Sequence, residues 1–243
     1  MSSQPATAER VLELVENYQR VDAQVRSAEH GSPVTIVAVS KLKPASDIRA
    51  LYDHGVHHFG ENYVQELIGK AAELPPDIKW HFIGGLQSNK CKDLGGQISN
   101  LYAVETIDSL KKCRKLDAAR AATEFPNIRV YLQINTSGEE QKSGFTLDLE
   151  ELHATVEYLL HESKKLTLAG LMTIGSLAES GTDSEVNKDF AALLQMQQML
   201  DKKYSLSLLL SMGMSSDYLL AIKQGSLSVR VGTSIFGARP PRK

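Results

Sequence analysis

Lys41 occupies a place where an ammonium group is costly. It follows the apolar run Thr35-Ile36-Val37-Ala38-Val39-Ser40, and Lys43 and Pro44 close the segment. Side chains alternate across a strand, so Lys41 shares a face with Val37 and Val39. If that face is buried, desolvation disfavours the charged form. A lysine that is neutral near physiological pH attacks carbonyls to form Schiff bases. The same residue could equally end the strand and snorkel to water, as most lysines do.

A second group lies near the C-terminus, in Val229-Arg230-Val231-Gly232-Thr233-Ser234. Gly232 would let backbone amides come close to a phosphate, and the hydroxyls of Thr233 and Ser234 add donors. Gly213, Met214 and Ser215, just before Ser216 and Asp217, could form the other half of such a cradle. Taken separately, each is also a glycine turn with a capping serine. An amine facing a phosphate cradle suits a ligand with an aldehyde at one end and a phosphate at the other. Pyridoxal 5′-phosphate (PLP) and some sugar phosphates have that form. Arg230 favours PLP, because a guanidinium beside the pyridine nitrogen does not give up its proton and restrains the ring as an electron sink.

Other polar clusters are less specific. His58 to Glu66 gathers Glu61, Asn62 and Tyr63, either around a ligand or as a capping turn. Gln87, Asn89 and Lys90 lie in a polar connection. Residues 135–144 resemble a flap carrying Lys142. His54, His57 and His58 lack metal-ligand spacing, and His81, on an apolar strand, suits a hydrogen-bonded core histidine. No metal site is expected.

These residues need a scaffold that brings them together. Short apolar runs recur at 34–41, 57–61, 79–84, 101–106, 129–135, 168–175, 206–213 and 227–237. Several are continuously apolar, as strands covered on both faces are. Helical patterns separate them at 46–53, 64–73, 109–122, 149–161, 187–203 and 217–224, with Asp108 and Ser216 as N-caps and Gly55 and Gly225 as terminators. Repeated strand–helix units predict a parallel sheet, and eight of them predict a (β/α)₈ TIM barrel. No G-x-G-x-x-G or Walker pattern supports an open nucleotide-binding sheet. An extra N-terminal helix within 1–30 carries Val11, Val15, Tyr18, Val21 and Val25 as its stripe. The 243 residues are expected to form one domain, with 238–243 as a tail and order weakest in the first few residues, 176–187 and 239–243. In such a barrel function collects where strands end: here Ser40-Lys41, Glu61-Asn62, Gly84-Gly85, Glu105-Thr106, Asn135-Thr136, Met172-Thr173, Met214-Ser215 and Arg230 to Thr233.

The composition, 42% hydrophobic and 23% charged with net charge −2, suits an ordinary globular protein. It offers nothing to attract nucleic acid or an anionic membrane. Only two cysteines, Cys91 and Cys113, and no apolar leader or span point to the cytoplasm, where the sequon at Asn135 would be idle.

The segments "AVSKLKP", "FGENYVQE", "KWHFIGGLQSNK", "QINTSGEEQKSG", "GLMTIG", "LSMGMSSD" and "VRVGTSIFGAR" together resemble the pyridoxal phosphate homeostasis proteins, over about 34–239. The wording is most like that of the fungal members. Leu42, where many relatives have threonine, and Gly85, where others have proline or histidine, depart from the pattern. The resemblance implies an alanine-racemase-like barrel of PLP fold type III, with PLP held as an internal aldimine on Lys41. It places phosphate contacts at Ser215, Gly232 and Thr233 beside Met214. It sets Arg230 at the pyridine nitrogen, Asn62 beside the cofactor and Lys142 at a position implicated in cofactor exchange.

It further implies a monomeric cytoplasmic carrier that buffers PLP, passes it to apo-enzymes and balances amino- and keto-acid pools, with a minor mitochondrial pool possible. The alternative is a PLP-dependent amino-acid racemase. That chemistry needs an acid/base on each face of the planar intermediate. The related racemases supply one from a partner subunit and carry a second domain. Seven residues follow Phe236, so no such domain is expected. A Schiff-base aldolase acting on sugar phosphates is a third possibility.

Overall fold

The computed structural model describes residues 4–29, 31–146, 149–180 and 185–238. Eight parallel strands close in chain order into a barrel: β1 (Thr35–Val39), β2 (His58–Glu61), β3 (Lys79–Phe82), β4 (Leu101–Ile107), β5 (Ile128–Gln133), β6 (Leu166–Met172), β7 (Leu209–Ser211) and β8 (Ser228–Val231). Closure is made by β8 on β1, in register from Thr35 opposite Ser228 to Ala38 opposite Val231. The continuous apolar runs follow from burial on two sides. Ile36 and Ala38 belong to the core shared with the helices, whereas Val37 and Val39 face inward and would touch a Cβ placed on Gly60.

The helices are α1 (Ala8–Ala28), α2 (Ala45–Tyr52), α3 (Val64–Glu73), α4 (Cys91–Gln97), α5 (Leu110–Ala121), α6 (Leu149–His161), α7 (Leu177–Ser180), α8 (Lys188–Tyr204), α9 (Tyr218–Lys223) and α10 (Thr233–Phe236). α8 shows the rule that shapes the longer ones, with Phe190, Leu193, Met196 and Leu200 buried at three- and four-residue steps. α1 packs on α2, α9 and α10. Its buried stripe runs through Leu14, Val21 and Val25, each contributing about 2 kcal/mol by burial. Val15 lies beside that stripe, one residue around from Leu14. Polar ties hold α1 in place. Arg10 bonds Asp47 at 2.7 Å and the Phe236 carbonyl at 2.9 Å, and Asn17 bonds the Ile235 carbonyl.

Two expected caps move by one residue. Ser109, in extended backbone, accepts from the Lys112 amide, and its neighbour Asp108 pairs with the Lys112 ammonium instead. Asp217, not Ser216, precedes α9, and its carboxylate accepts from the Met214 amide at 2.7 Å. Gly55 and Gly225 do end their helices with positive φ.

Apolar runs overstate the strands. β7 spans three residues, because Leu206 and Leu208 still bond Asp201 of α8 through a left-handed Ser205. β8 stops at Val231, where the chain turns into α10. α4, α7 and α10 are additional to the predicted helices, each too short to show a period. Residues 1–3 and the expected tail from 239 lie outside the described residues, as do 181–184 of the 176–187 segment.

Candidate functional site

A cavity of about 300 Å³ opens at the carboxyl ends of the strands. Lys41, Asn62, Met214, Ser215, Arg230, Gly232 and Thr233 all line it, so seven of the eight residues picked from sequence meet in one place. Ile83, Met172 and Ile174 complete an apolar wall. A wider depression of about 720 Å³ adjoins at Ser215 and Ser216. Its walls carry Glu179, Glu185 and Asp217 against a single cation, Lys223, a poor surface for an anion.

Lys41 lies two residues beyond β1, on the face that Val39 begins, because Ser40 still bonds the Gly60 carbonyl of β2 at 2.9 Å. The next residue, Leu42, is left-handed at φ 61°. This is an uncommon conformation for a residue with a branched side chain, and it persists only where surroundings impose it. Here a buried ionic clasp does so. Lys70 of α3 donates to the Ser40 carbonyl at 2.9 Å and to Glu61 and Glu66 at 2.6 Å each. Glu61 accepts from the Ser40 hydroxyl at 2.6 Å, and Glu66 accepts from the Leu42 amide at 2.7 Å. Burial pushes the Glu61 carboxyl up, against the pull of Lys70 and Ser40. The second lysine of the motif points elsewhere. Lys43 donates to the Phe236 and Ala238 carbonyls and caps α10.

The expected phosphate cradle lies where β7, β8 and α10 meet. Ser215 accepts from the Gly232 amide at 3.2 Å. A Cβ on Gly232 would stand 3.3 Å from Val39, so the turn packs directly on β1. Gly213, at φ 98°, leaves no room for a side chain against Ala221 and Tyr218.

Arg230 is buried. Its guanidinium donates to the Ser211 hydroxyl at 2.6 Å and the Thr173 carbonyl at 2.8 Å. Burial lowers its pKa, opposed by the charges of Glu105 and Asp217. Asn62 is wedged beside Gly84, where a Cβ would fall 1.9 Å from the Asn62 carbonyl. Its side-chain oxygen is buried with no hydrogen-bond partner among the described residues.

Lys142 does not line this cavity. It pairs with Glu139 at 2.6 Å and donates to the Gly175 carbonyl at 2.8 Å, one residue from Ile174 of the cavity wall. The expected flap 135–144 closes as a bonded turn, Asn135 donating to the carbonyls of Glu139 and Lys142. Tyr63, Gln87 and Lys90 line a separate hollow that meets the cavity at Asn62. His81 is a buried, hydrogen-bonded core residue, between His58 and Glu105. Cys91 and Cys113 are buried free thiols, and burial pushes Cys113 up to about 12.

Two supports escaped sequence reasoning. Ser211 gives no local sign of its role. Lys70 does give one: it follows Val64 and Leu67 at three-residue steps on the inward face of α3, where a lysine needs carboxylates nearby. Glu61 and Glu66 supply them. Chemically the site offers one amine, a fixed guanidinium, an orphaned amide oxygen and a small anion cradle.

Comparison with known proteins adds the following. Residues 13–240 match the family described as alanine racemase, N-terminal domain. The pyridoxal phosphate homeostasis protein of Schizosaccharomyces pombe is 48% identical over 224 residues, 92% of each chain. The structure of PipY from Synechococcus elongatus with PLP bound superposes with a TM-score of 0.77 at 33% identity, over 92% of this chain and all of that one, and the form without PLP with 0.79. An alanine racemase from Clostridium difficile shares the fold, with a TM-score of 0.73 at 15% identity over 96% of this chain and 61% of that one.

Proposed function

The chain belongs to the alanine racemase N-terminal domain family and, within it, to the pyridoxal phosphate homeostasis proteins, and from that premise we propose that it carries and buffers PLP on Lys41. The observation that carries this reading is the convergence of Lys41, Arg230 and the Ser215–Gly232–Thr233 donors on one cavity. At about 300 Å³ the cavity is at the small end of ligand sites.

The residues fit the cofactor chemically. Ser215, Gly232 and Thr233 would hold the phosphate, and Arg230 would donate to the ring nitrogen. The unpartnered Asn62 oxygen would accept from the ring hydroxyl. Bound PLP supplies an aldehyde and an electron-withdrawing ring. Lys41 would hold the cofactor through its amine, the nucleophile for that aldehyde, with the aldehyde oxygen lost as water.

Carriage rather than turnover is supported by the lining of the cavity. Among the described residues that line it there is no tyrosine, histidine, cysteine or carboxylate to serve as the opposite-face base of a racemase. Release is supported by the exposure of Ile174 on the cavity wall and of Leu42, the neighbour of Lys41. Lys142, bonded beside Ile174, would influence exchange through the cavity wall. We extend the proposal to a cytoplasmic monomer that delivers PLP to apo-enzymes, motivated by the sparse cysteines. Cell fractionation, sedimentation and transfer to an apo-enzyme in a dialysis chamber check these points, and a stable dimer or a secreted pool would overturn them.

The central test is the absorption spectrum of purified protein with PLP, before and after borohydride, with peptide mapping. A yellow band lost on reduction, with pyridoxyl on Lys41 and none in Lys41→Ala, is expected. A colourless protein left unmodified by PLP and borohydride overturns the assignment. Turnover of any D/L amino-acid pair that disappears in Lys41→Ala would overturn carriage alone in favour of racemisation.

A further inference from the structure

A polar chain runs through the barrel interior, where TIM barrels ordinarily stack branched apolar side chains. Arg230 donates to the Ser211 hydroxyl at 2.6 Å, and Ser211 donates to Glu105 at 2.6 Å. The other Glu105 oxygen meets His81 Nδ1 at 2.6 Å, and His81 Nε2 meets His58 Nδ1 at 2.8 Å. Glu105 and Ser211 are fully buried, and His81 and Arg230 nearly so.

For neutral imidazoles the donor inventory leaves one proton arrangement. Arg230 can only donate, so the Ser211 oxygen accepts and its hydrogen goes to Glu105. An ionised Glu105 can only accept, so His81 carries its proton on Nδ1 and takes a hydrogen bond from His58 Nδ1–H. Every bond thus points at Glu105. Burial opposes its ionisation, yet the hydrogen bond from His81, the charge of Arg230 and the Ser211 hydroxyl hold its pKa below the usual carboxylate range. His58 is neutral, pushed down to about 3 by burial and by the neighbouring His81 and Lys79.

A buried carboxylate is rarely retained for stability alone, since apolar residues of similar volume do as well or better. What this one holds is the guanidinium at the floor of the cavity. We propose that Glu105 is a positioning residue for the cofactor, acting through Ser211 to fix the Arg230 guanidinium as donor to the PLP ring nitrogen, with His81 orienting the carboxylate. The inference rests on the PLP reading of the cavity.

The test uses two probes, PLP and its analogue with CH in place of the ring nitrogen, titrated by absorbance against the full-length apoprotein. Wild type binds PLP more tightly than the analogue, which cannot accept from Arg230. Glu105→Gln is nearly isosteric and removes the charge. It weakens PLP on the order of tenfold, the scale on which outer partners of a bound group act, and narrows the preference over the analogue. Ser211→Ala does the same while keeping both charges, so it carries the test if Glu105→Gln fails to give a cooperative melt. The double variant is no weaker than the worse single, because both cut one chain.

Equal loss of both probes would make Glu105 merely structural, and wild-type affinity in both variants would leave it without a role; either overturns the proposal. Wild-type protein that binds neither probe overturns the PLP reading and this inference together.

Discussion

Lys70 should be worth more to this protein at pH 7 than at pH 5. Its ammonium is almost buried and makes three hydrogen bonds, two of them to carboxylates at 2.6 Å. Glu61 is fully buried, and its second oxygen has no partner among the described residues. Replacing Lys70 by Met keeps the aliphatic stem and strips Glu61 of its counter-charge. Removing one partner of a buried ion pair costs about 3–5 kcal/mol. Glu61 can limit that loss by taking up a proton. Holding a carboxyl neutral at pH 7 against an unfolded pKa of about 4.3 costs about 4 kcal/mol, so the two limits agree.

The sign follows from the direction of the shift. In the variant the folded pKa of Glu61 lies further above its unfolded value, so the penalty is absent below about pH 4.3 and grows as pH rises. Lys70→Met is therefore expected to lose about 3 kcal/mol at pH 7 and only about 1 kcal/mol at pH 5 in urea denaturation. Adding Glu61→Gln should recover most of the pH 7 loss. A Lys70→Met penalty under about 1 kcal/mol, or one equal at both pH values, would refute the clasp as the force that imposes the Lys41 turn.

Gly84→Ala is expected to destabilise by about 3 kcal/mol or more and to weaken PLP, since its Cβ would enter the Asn62 backbone at 1.9 Å; unchanged melting and unchanged PLP titration would contradict the packing. His58 has a folded pKa of about 3, below its ordinary value, so its share of stability is full above about pH 6.5 and drains as pH falls towards 3. His58→Asn, which keeps a donor to His81 but does not titrate, should gain about 1–2 kcal/mol on wild type between pH 7 and pH 5, and parallel pH profiles would rule this out. Arg120 is buried and donates to the carbonyls of Gly95, Ile98, Ser99 and Pro126. Arg120→Met should lower Tm on the order of 10 °C through the lost charge-assisted bonds, and a shift under about 2 °C would show that they contribute little.

Much of the architecture was legible because burial writes itself into the chain. A strand covered on both faces must be apolar throughout, and eight such runs between amphipathic helices leave few topologies. The length of β7 and β8 was not legible, because Leu206 and Ile235 are apolar for the sake of α8 and α1 packing rather than strand pairing. The shift of two caps by one residue has a similar cause. Asp108 and Asp217 sit beside serines, and the preferred partner depends on which amide the folded turn presents.

The chain alone determined the chemical inventory: a lysine after an apolar strand, an arginine on the last strand, and glycines with hydroxyls beside it. Composition and order suffice for that, since side-chain parity and strand-end placement are local rules. Tertiary structure decided which of those groups meet. It sent Lys43 to the end of α10 and left Lys41 at the cavity, and it held Lys142 outside the wall. Barrel closure also brought Glu105 of β4 within reach of Ser211 of β7 and Arg230 of β8, residues more than a hundred positions apart in the first case. Such contacts depend on the radius and register of the closed sheet, which no local pattern carries.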